Sequence, residues 1–252
     1  MRLLALESAS LVASAALYED GRVTAEYTTN NKLTHSQTLL PMVDEIVRMT
    51  GTDLKSLDAI AVSSGPGSFT GLRIGAATAK GLALALEKPI VPVPTLDATA
   101  CNIFGTDRLV CPVMDARRGQ VYNGIYRNQE SLQVVRASRA LSVEELMEDL
   151  NALGEPVILL GDGVPVCREA AAAQLKVPFA FAPANLDRQR AASVAVLGAR
   201  LFEEGKTVTS GEFVPEYLRK SQAERQREAA EKAGAEAEAL LAAGKLLSGK
   251  ER

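Results

Sequence analysis

A glycine-rich loop is the pattern in this chain best suited to bind a ligand. It reads Gly65-Pro66-Gly67-Ser68-Phe69-Thr70-Gly71 and lies between a predicted strand and a predicted helix. Glycines and a proline at such a junction mark a turn where the first N–H groups of the helix lie bare. The loop matches neither the Walker A pattern nor the dinucleotide-binding pattern, because Thr70 stands at the third glycine position of the latter. Two interpretations stay open: a cradle for an anion, or a rigid elbow that lets the helix pack closely.

Side chains near strand ends and helix starts are the next candidates. Glu7 and Asp115 each end an apolar run, where a pair of carboxylates would suit the phosphates and metal of a nucleotide and turn capping is the structural alternative. His35 is the only histidine, which excludes any site that needs two imidazoles and favours a cap or turn role. Arg73 falls in the first turn of a predicted helix, where a cation opposes the macrodipole. It therefore predicts either an acidic ligand or a salt bridge. We expect no metal and no cofactor.

Composition indicates a globular protein of a reducing compartment. Of the 252 residues, 47% are hydrophobic and 23% charged, and the net charge is −3. Nucleic-acid binders rely on clustered Lys and Arg, so we expect any RNA to be bound only together with a partner that supplies the basic surface. The three cysteines are odd in number and form no C-x-x-C pair. No run approaches the roughly 20 apolar residues of a membrane span. We predict a cytoplasmic protein that does not bind membranes.

The order of predicted elements occurs twice. Residues 1–104 read as three strands, a helix, a strand, the glycine-loop helix and a short strand, and residues 105–220 repeat this order. Glu7 and Asp115 end the first strand of each half, and a tyrosine follows each acid eleven residues later. This duplication predicts an α/β fold of the actin, Hsp70 and sugar-kinase type (ASKHA), with two lobes and mixed sheets. Residues 221–252, rich in Ala, Glu and Lys, predict a helical or disordered tail.

The two long helices of the first half predict a surface for a partner. One carries an apolar stripe and the other is rich in glycine and alanine, which permits close approach of helix axes. Each helix must bury one face on its own sheet, so the residues left over predict a helix–helix interface. The candidate partner-binding residues are Leu39, Met42, Val43, Ile46, Arg73, Ile74, Gly75, Ala77, Ala79 and Gly81.

Several motifs together resemble the TsaB (YeaZ) family. The resemblance covers roughly residues 1 to 220 and is most specific in the loop that runs from Ser64 to Gly75. The other matching segments are Leu4-Ala5-Leu6-Glu7-Ser8-Ala9, His35-Ser36-x-x-Leu39-Leu40-Pro41, Met114-Asp115-Ala116-Arg117-Arg118-Gly119-Gln120-Val121-Tyr122 and Pro215-x-Tyr217-Leu218-Arg219.

The resemblance implies a partner of TsaD, the subunit that attaches threonylcarbamoyl to N6 of adenosine 37 in tRNAs reading codons that start with A. Members of this family resemble TsaD in fold and lack its catalytic centre. TsaD-type proteins carry an H-x-x-x-H metal pair, whereas here Leu39 stands four positions after His35. Where the family usually has an aspartate at the end of the first strand, this chain has Glu7. The implied partners are a TsaD-like catalytic subunit, a TsaE-like ATPase and, for the free protein, a second copy.

The sequence leaves three candidate functions to be tested. The leading hypothesis is a non-catalytic scaffold that binds a TsaD-like subunit through the two long helices. The alternative is an ATP-dependent phosphotransferase of the sugar-kinase type, for which Glu7 and Asp115 would be the acids. A metallopeptidase is the third class, and a single histidine disfavours it.

Overall fold

A computed structural model of the chain describes residues 1–31 and 33–219. The first half builds a mixed sheet from five strands: β1 (Arg2–Glu7), β2 (Ala13–Glu19), β3 (Arg22–Thr29), β4 (Ala59–Gly65) and β5 (Ile90–Pro94). Their order across the sheet is β3-β2-β1-β4-β5. The first three strands are antiparallel neighbours, and β4 and β5 run parallel to β1. The predicted tail over 221–252 lies outside the described residues.

The second half builds a sheet of the same topology. Its strands are β6 (Leu109–Arg117), β7 (Gln120–Asn128), β8 (Leu132–Ser142), β9 (Val157–Leu160) and β10 (Phe179–Phe181). They lie in the order β8-β7-β6-β9-β10, again with three antiparallel neighbours followed by two parallel strands. The repeated strand order confirms the duplication that the sequence predicts. The division into lobes at residue 104 remains a prediction.

The α-helices of the described residues are α1 (His35–Thr50), α2 (Phe69–Leu86), α3 (Thr95–Ala100), α4 (Val143–Leu153), α5 (Val164–Gln174) and α6 (Ala191–Glu203). Successive side chains of a strand point to opposite faces. Leu4 and Leu6 therefore pack in a core with α1 and α2, whereas Leu3 and Ala5 pack in a second core with α6. Helices α4 and α5 cover the second sheet. The chain thus returns to the first sheet through α6 after it has built the second.

Three short elements of the described residues were not predicted from the sequence: a 3₁₀ helix (Leu54–Ser56), α3 and the three-residue strand β10. All three are shorter than the window over which hydrophobic periodicity can be recognised. Strand β8 is longer than predicted, because it continues from Arg136 to Ser142. Within 1–31 and 33–219, none of the helices is both long enough and apolar enough to cross a lipid bilayer.

Candidate functional site

The glycine loop between β4 and α2 is closed by hydrogen bonds within the protein. The N–H of Gly65 donates to Thr95 Oγ1 at 3.1 Å, and the N–H of Ser68 donates to the carbonyl of Ala9 at 2.7 Å. Ser68 is also the N-cap of α2, where its hydroxyl accepts the N–H of Gly71 at 3.3 Å. An anion cradle would need such N–H groups for its ligand. The geometry therefore favours the rigid elbow.

Helix α2 approaches the turn after β1 so closely that two of its glycines have no room for a side chain. A Cβ added to Gly71 would lie 2.1 Å from the carbonyl oxygen of Ser8, and one added to Gly75 would lie 2.2 Å from the Ser8 hydroxyl oxygen. That hydroxyl donates to the carbonyl of Gly71 at 2.9 Å. Gly71 and Gly75 are therefore required for packing inside the chain.

A segment near the end of the described chain crosses the first half, and we call residues 208–217 the strap. Val208 forms an antiparallel bridge with Ile90, and Phe213 is buried in the core that α1 and α2 share. The N–H of Glu216 donates to the carbonyl of Ser64 at 2.7 Å. Gly65 has φ +121°, and a Cβ there would lie 2.2 Å from the carbonyl oxygen of Glu216. The strap therefore lies directly against the glycine loop.

Arg73 contacts an aromatic ring and not an acid. Its guanidinium carbon lies 4.0 Å from the ring centroid of Phe69, one helical turn earlier. The Phe69 ring also contacts the ring of Tyr217, at the end of the strap, with centroids 4.9 Å apart. In the described part of the chain, Arg73 forms no ion pair. The salt bridge considered from the sequence is thus replaced by a cation–π contact.

Glu7 is buried, with 1% of its surface exposed. Its Oε1 accepts the N–H of Ala9 at 2.6 Å, so the carboxyl group caps its own turn. Desolvation raises the pKa of Glu7 from its ordinary value of 4.5 to about 7, against the opposing hydrogen bonds from Ala9 and Ser63. This position does not favour contact with a nucleotide, since the carboxyl group is closed off from solvent.

Asp115 differs from Glu7 because its side chain is 27% exposed and forms an ion pair with Arg117 at 3.5 Å. The structure adds a third acid that sequence reasoning missed. Asp162 follows β9, accepts a hydrogen bond from Gln189 Nε2 at 2.7 Å, and has its pKa raised by burial. The negative charge of Asp162 contributes to the raised pKa of Glu7, and that of Asp115 contributes to the raised pKa of Asp162. The duplication in the sequence could have revealed Asp162. It lies between two glycines after β9, and Pro66 lies between two glycines at the equivalent place after β4.

His35 forms a hydrogen bond that stabilises the fold. Its Nε2–H donates to the carbonyl of Ser10 at 2.7 Å, which ties the start of α1 to the turn between β1 and β2. Thr34, the N-cap of α1, makes no side-chain capping bond. Among the residues that the structure describes, no three His, Cys, Asp or Glu side chains are grouped to hold a metal ion.

The residues predicted to bind a partner fall into two groups. Six are buried in the chain: Leu39, Met42, Val43, Ile46, Gly75 and Ala79. The others are on the surface of α2, where Arg73, Ala77 and Gly81 are exposed and Ile74 is half-buried. The buried group packs on the first sheet and its turns, because α1 and α2 cover the same side of that sheet.

The outward surface of α1 and α2 includes some of the predicted partner-binding residues and some that were not predicted. We call this surface the helix face. Its members are exposed and lie away from the first sheet: Leu40, Asp44, Arg73, Ala77, Gly81 and Leu84. Leu84 is 72% exposed and Leu40 is 51% exposed. The α2 members follow one another at intervals of three or four residues, so they form one stripe along the helix. Small and apolar side chains dominate it.

Comparisons with known proteins agree with this architecture. Residues 22–227 match the family model for TsaD, the tRNA N6-adenosine threonylcarbamoyltransferase. The chain is 32% identical to the tRNA threonylcarbamoyladenosine biosynthesis protein TsaB of Bacillus subtilis over 89% of this chain and 96% of that protein. It is 34% identical to TsaB of Escherichia coli over 87% of this chain and 95% of that protein.

The fold has a counterpart among solved structures. A Pseudomonas aeruginosa protein described as similar to the peptidase YeaZ superimposes with a TM-score of 0.75 at 28% identity, over 86% of this chain and 99% of that protein. The duplicated α/β topology with two mixed sheets predicted from the sequence is confirmed. With full-length relatives above 30% identity and a matching architecture, the chain belongs to the TsaB (YeaZ) family.

Proposed function

We propose that this chain is a non-catalytic subunit that binds a TsaD-like catalytic subunit and supports threonylcarbamoyl transfer to N6 of adenosine 37 in tRNAs reading ANN codons. The relatives named TsaB carry threonylcarbamoyladenosine biosynthesis in their names. The observation that carries the binding role is the helix face, an exposed stripe of small and apolar side chains on α2 beside α1. Such a surface suits close packing against the helices of another subunit.

Three features of the first half support a scaffold over an independent enzyme. The N–H groups of Gly65, Ser68 and Gly71 bond within the chain. Glu7 caps its own turn and is closed off from solvent. Leu39 stands where TsaD-type proteins carry a second histidine, and it is buried in the core. These residues stabilise the fold that presents the helix face.

The proposal includes the other partners expected from the family. A TsaE-like ATPase joins the assembly, and tRNA binds only to the assembly, consistent with a net charge of −3. A second copy covers the same helix face when the catalytic subunit is absent, which gives a homodimer. The complex works in the cytoplasm.

The helix face gives a direct binding test. We expect Ala77→Arg to weaken the complex with the same organism's TsaD-like subunit at least about 100-fold, because a long charged side chain blocks close helix packing. Ala173→Arg on the exposed surface of α5 is the matched control and should bind like the wild type. Affinity is measured by calorimetry, with melting temperatures to show that both variants fold.

The result that would sink the proposal is a wild-type protein that does not bind the TsaD-like subunit, or an Ala77→Arg variant that binds unchanged. Gly75 and Ala79 are unsuitable for this test, because both are buried and a bulky residue there would disturb the fold itself.

A further inference from the structure

The strap ends beside the helix face, at the end of α2 where Arg73 lies. Glu216 fixes the strap there through its N–H bond to the carbonyl of Ser64 at 2.7 Å. The next residue, Tyr217, places its ring against that of Phe69, with centroids 4.9 Å apart and planes inclined by 41°. An aromatic side chain from the far end of the fold thus borders the proposed partner surface.

Phe69 has Arg73 as its second neighbour. The two residues are four positions apart on α2, so their side chains meet on one surface of the helix. The guanidinium carbon lies 4.0 Å from the Phe69 ring centroid. A guanidinium held over a ring keeps N–H donors at its rim, in the geometry that binds a carboxylate with two hydrogen bonds.

The charge of Arg73 has no acidic partner within residues 1–31 and 33–219. Arg73 is the fifth residue of α2, so it lies just beyond the first turn in which the sequence placed it and where the helix macrodipole acts most strongly. An exposed cation without an acidic neighbour is free to pair with an acid from another molecule. The aromatic contacts hold the cation ready for such an acid.

We propose that Tyr217 is a positioning residue: by packing on Phe69 it holds the Arg73 guanidinium over that ring, ready to bind a carboxylate of the partner subunit. The inference rests on the proposed function, since the partner is the TsaD-like subunit. A side chain that is already fixed loses less conformational entropy when the partner binds, so binding is tighter. Loss of the Tyr217 ring therefore weakens binding through Arg73.

A double-mutant cycle on the full chain tests this coupling. We expect Tyr217→Ala to weaken binding to the TsaD-like subunit about tenfold and Tyr217→Phe to bind like the wild type, because only the ring packs on Phe69. In an Arg73→Ala background, Tyr217→Ala should cause no further loss. Tyr217→Leu, which keeps apolar bulk without a ring, should show the same dependence on Arg73.

The second half of the chain offers a matched control. The guanidinium carbon of Arg168 lies 4.3 Å from the ring centroid of Phe181, and Phe179 contacts the same ring with centroids 5.7 Å apart. This cluster lies on α5 and β10, away from the helix face. Phe179→Ala removes the ring in the position equivalent to Tyr217 and should leave the affinity unchanged.

The outcomes separate the two proposals. If the wild type does not bind the TsaD-like subunit, the proposed function fails and this inference fails with it. If the wild type binds but the losses from Tyr217→Ala and Arg73→Ala add, Tyr217 does not act through Arg73 and this inference alone is overturned. Melting temperatures and the Tyr217→Leu variant separate coupling from unfolding of the strap.

Discussion

In the first half of the chain, the helix after the glycine turn is α2, whose exposed positions include Ala77, Gly81 and Leu84. In the second half the corresponding helix is α5, whose exposed positions include Arg168, Glu169 and Gln174. Both helices follow the fourth strand of a sheet with the same strand order. Both helices expose small and apolar residues, but α5 also exposes an arginine and a glutamate of opposite charge, whereas α2 exposes one charged residue, Arg73. The partner surface proposed above lies on α2, and α5 is its counterpart of equal topology in the second half.

The two halves also share a packing device. In the first half, α2 lies on the turn after β1 because Gly71 has no side chain, and an added Cβ would lie 2.1 Å from the Ser8 carbonyl oxygen. In the second half, Gly163 lies at the start of α5, and an added Cβ would lie 2.8 Å from the carbonyl carbon of Met114. Glycine thus serves close packing in both repeats, whereas a partner surface depends on what lies on the other side of the helix.

The largest expected effect comes from breaking this packing. Gly71→Ala should destabilise the protein by about 4 kcal/mol, because the new methyl group overlaps a backbone carbonyl that cannot move alone. Gly81→Ala on the same helix is the control, since a Cβ there meets nothing within 4 Å. It should stabilise the protein by up to about 1 kcal/mol through helix propensity. Urea denaturation measures both, and equal stability of Gly71→Ala and wild type would contradict the close approach.

The acids that end the first strands of the two halves differ in burial, because Glu7 is buried and Asp115 is partly exposed. The burial of Glu7 predicts that the stability of the protein depends on pH. Glu7 has a pKa of about 7 in the folded protein against 4.5 ordinarily, so the folded state binds more protons than the unfolded state between these values. Its burial therefore costs no stability below about pH 4.5, and stability falls as the pH rises to about 7, by about 3 kcal/mol in total.

Glu7→Gln removes this titration. The free energy of unfolding of the variant should fall less than that of the wild type between pH 5 and pH 8, with a difference of about 2 kcal/mol. Chemical denaturation at several pH values measures it. Parallel profiles for variant and wild type would mean that the Glu7 carboxyl is ionised at low cost inside the fold.

The smallest effect concerns the first helices of the halves. Helix α4 begins with a capping box, in which Ser142 and Glu145 exchange hydrogen bonds, whereas Thr34 before α1 makes no side-chain capping bond. Ser142→Ala should therefore cost about 1 kcal/mol and Thr34→Ala less than half of that. Equal losses in thermal unfolding would contradict the assigned caps.

The sequence was sufficient for the order of the main strands and helices, because turn signals and hydrophobic periodicity separate them. It was not sufficient for the orientation of α2, since small residues surround that helix and no apolar stripe marks its inward side. The sequence for this reason places Gly75 and Ala79 on the same surface as Ala77. In the structure Gly75 packs on Ser8 and Ala79 is buried in the core, whereas Ala77 is exposed. The contact of Tyr217 with Phe69 joins distant parts of the chain, so no local pattern predicts it.

The most direct test of the scaffold role is a modification assay. The same organism's TsaD-like and TsaE-like subunits, tRNA, ATP and threonylcarbamoyl-adenylate are combined with no added chain, with the wild type, with Ala77→Arg or with Ala173→Arg. Mass spectrometry then measures modified adenosine. The account predicts product with the wild type and Ala173→Arg, and little or none with Ala77→Arg or without the chain. Equal product in all four reactions would contradict it.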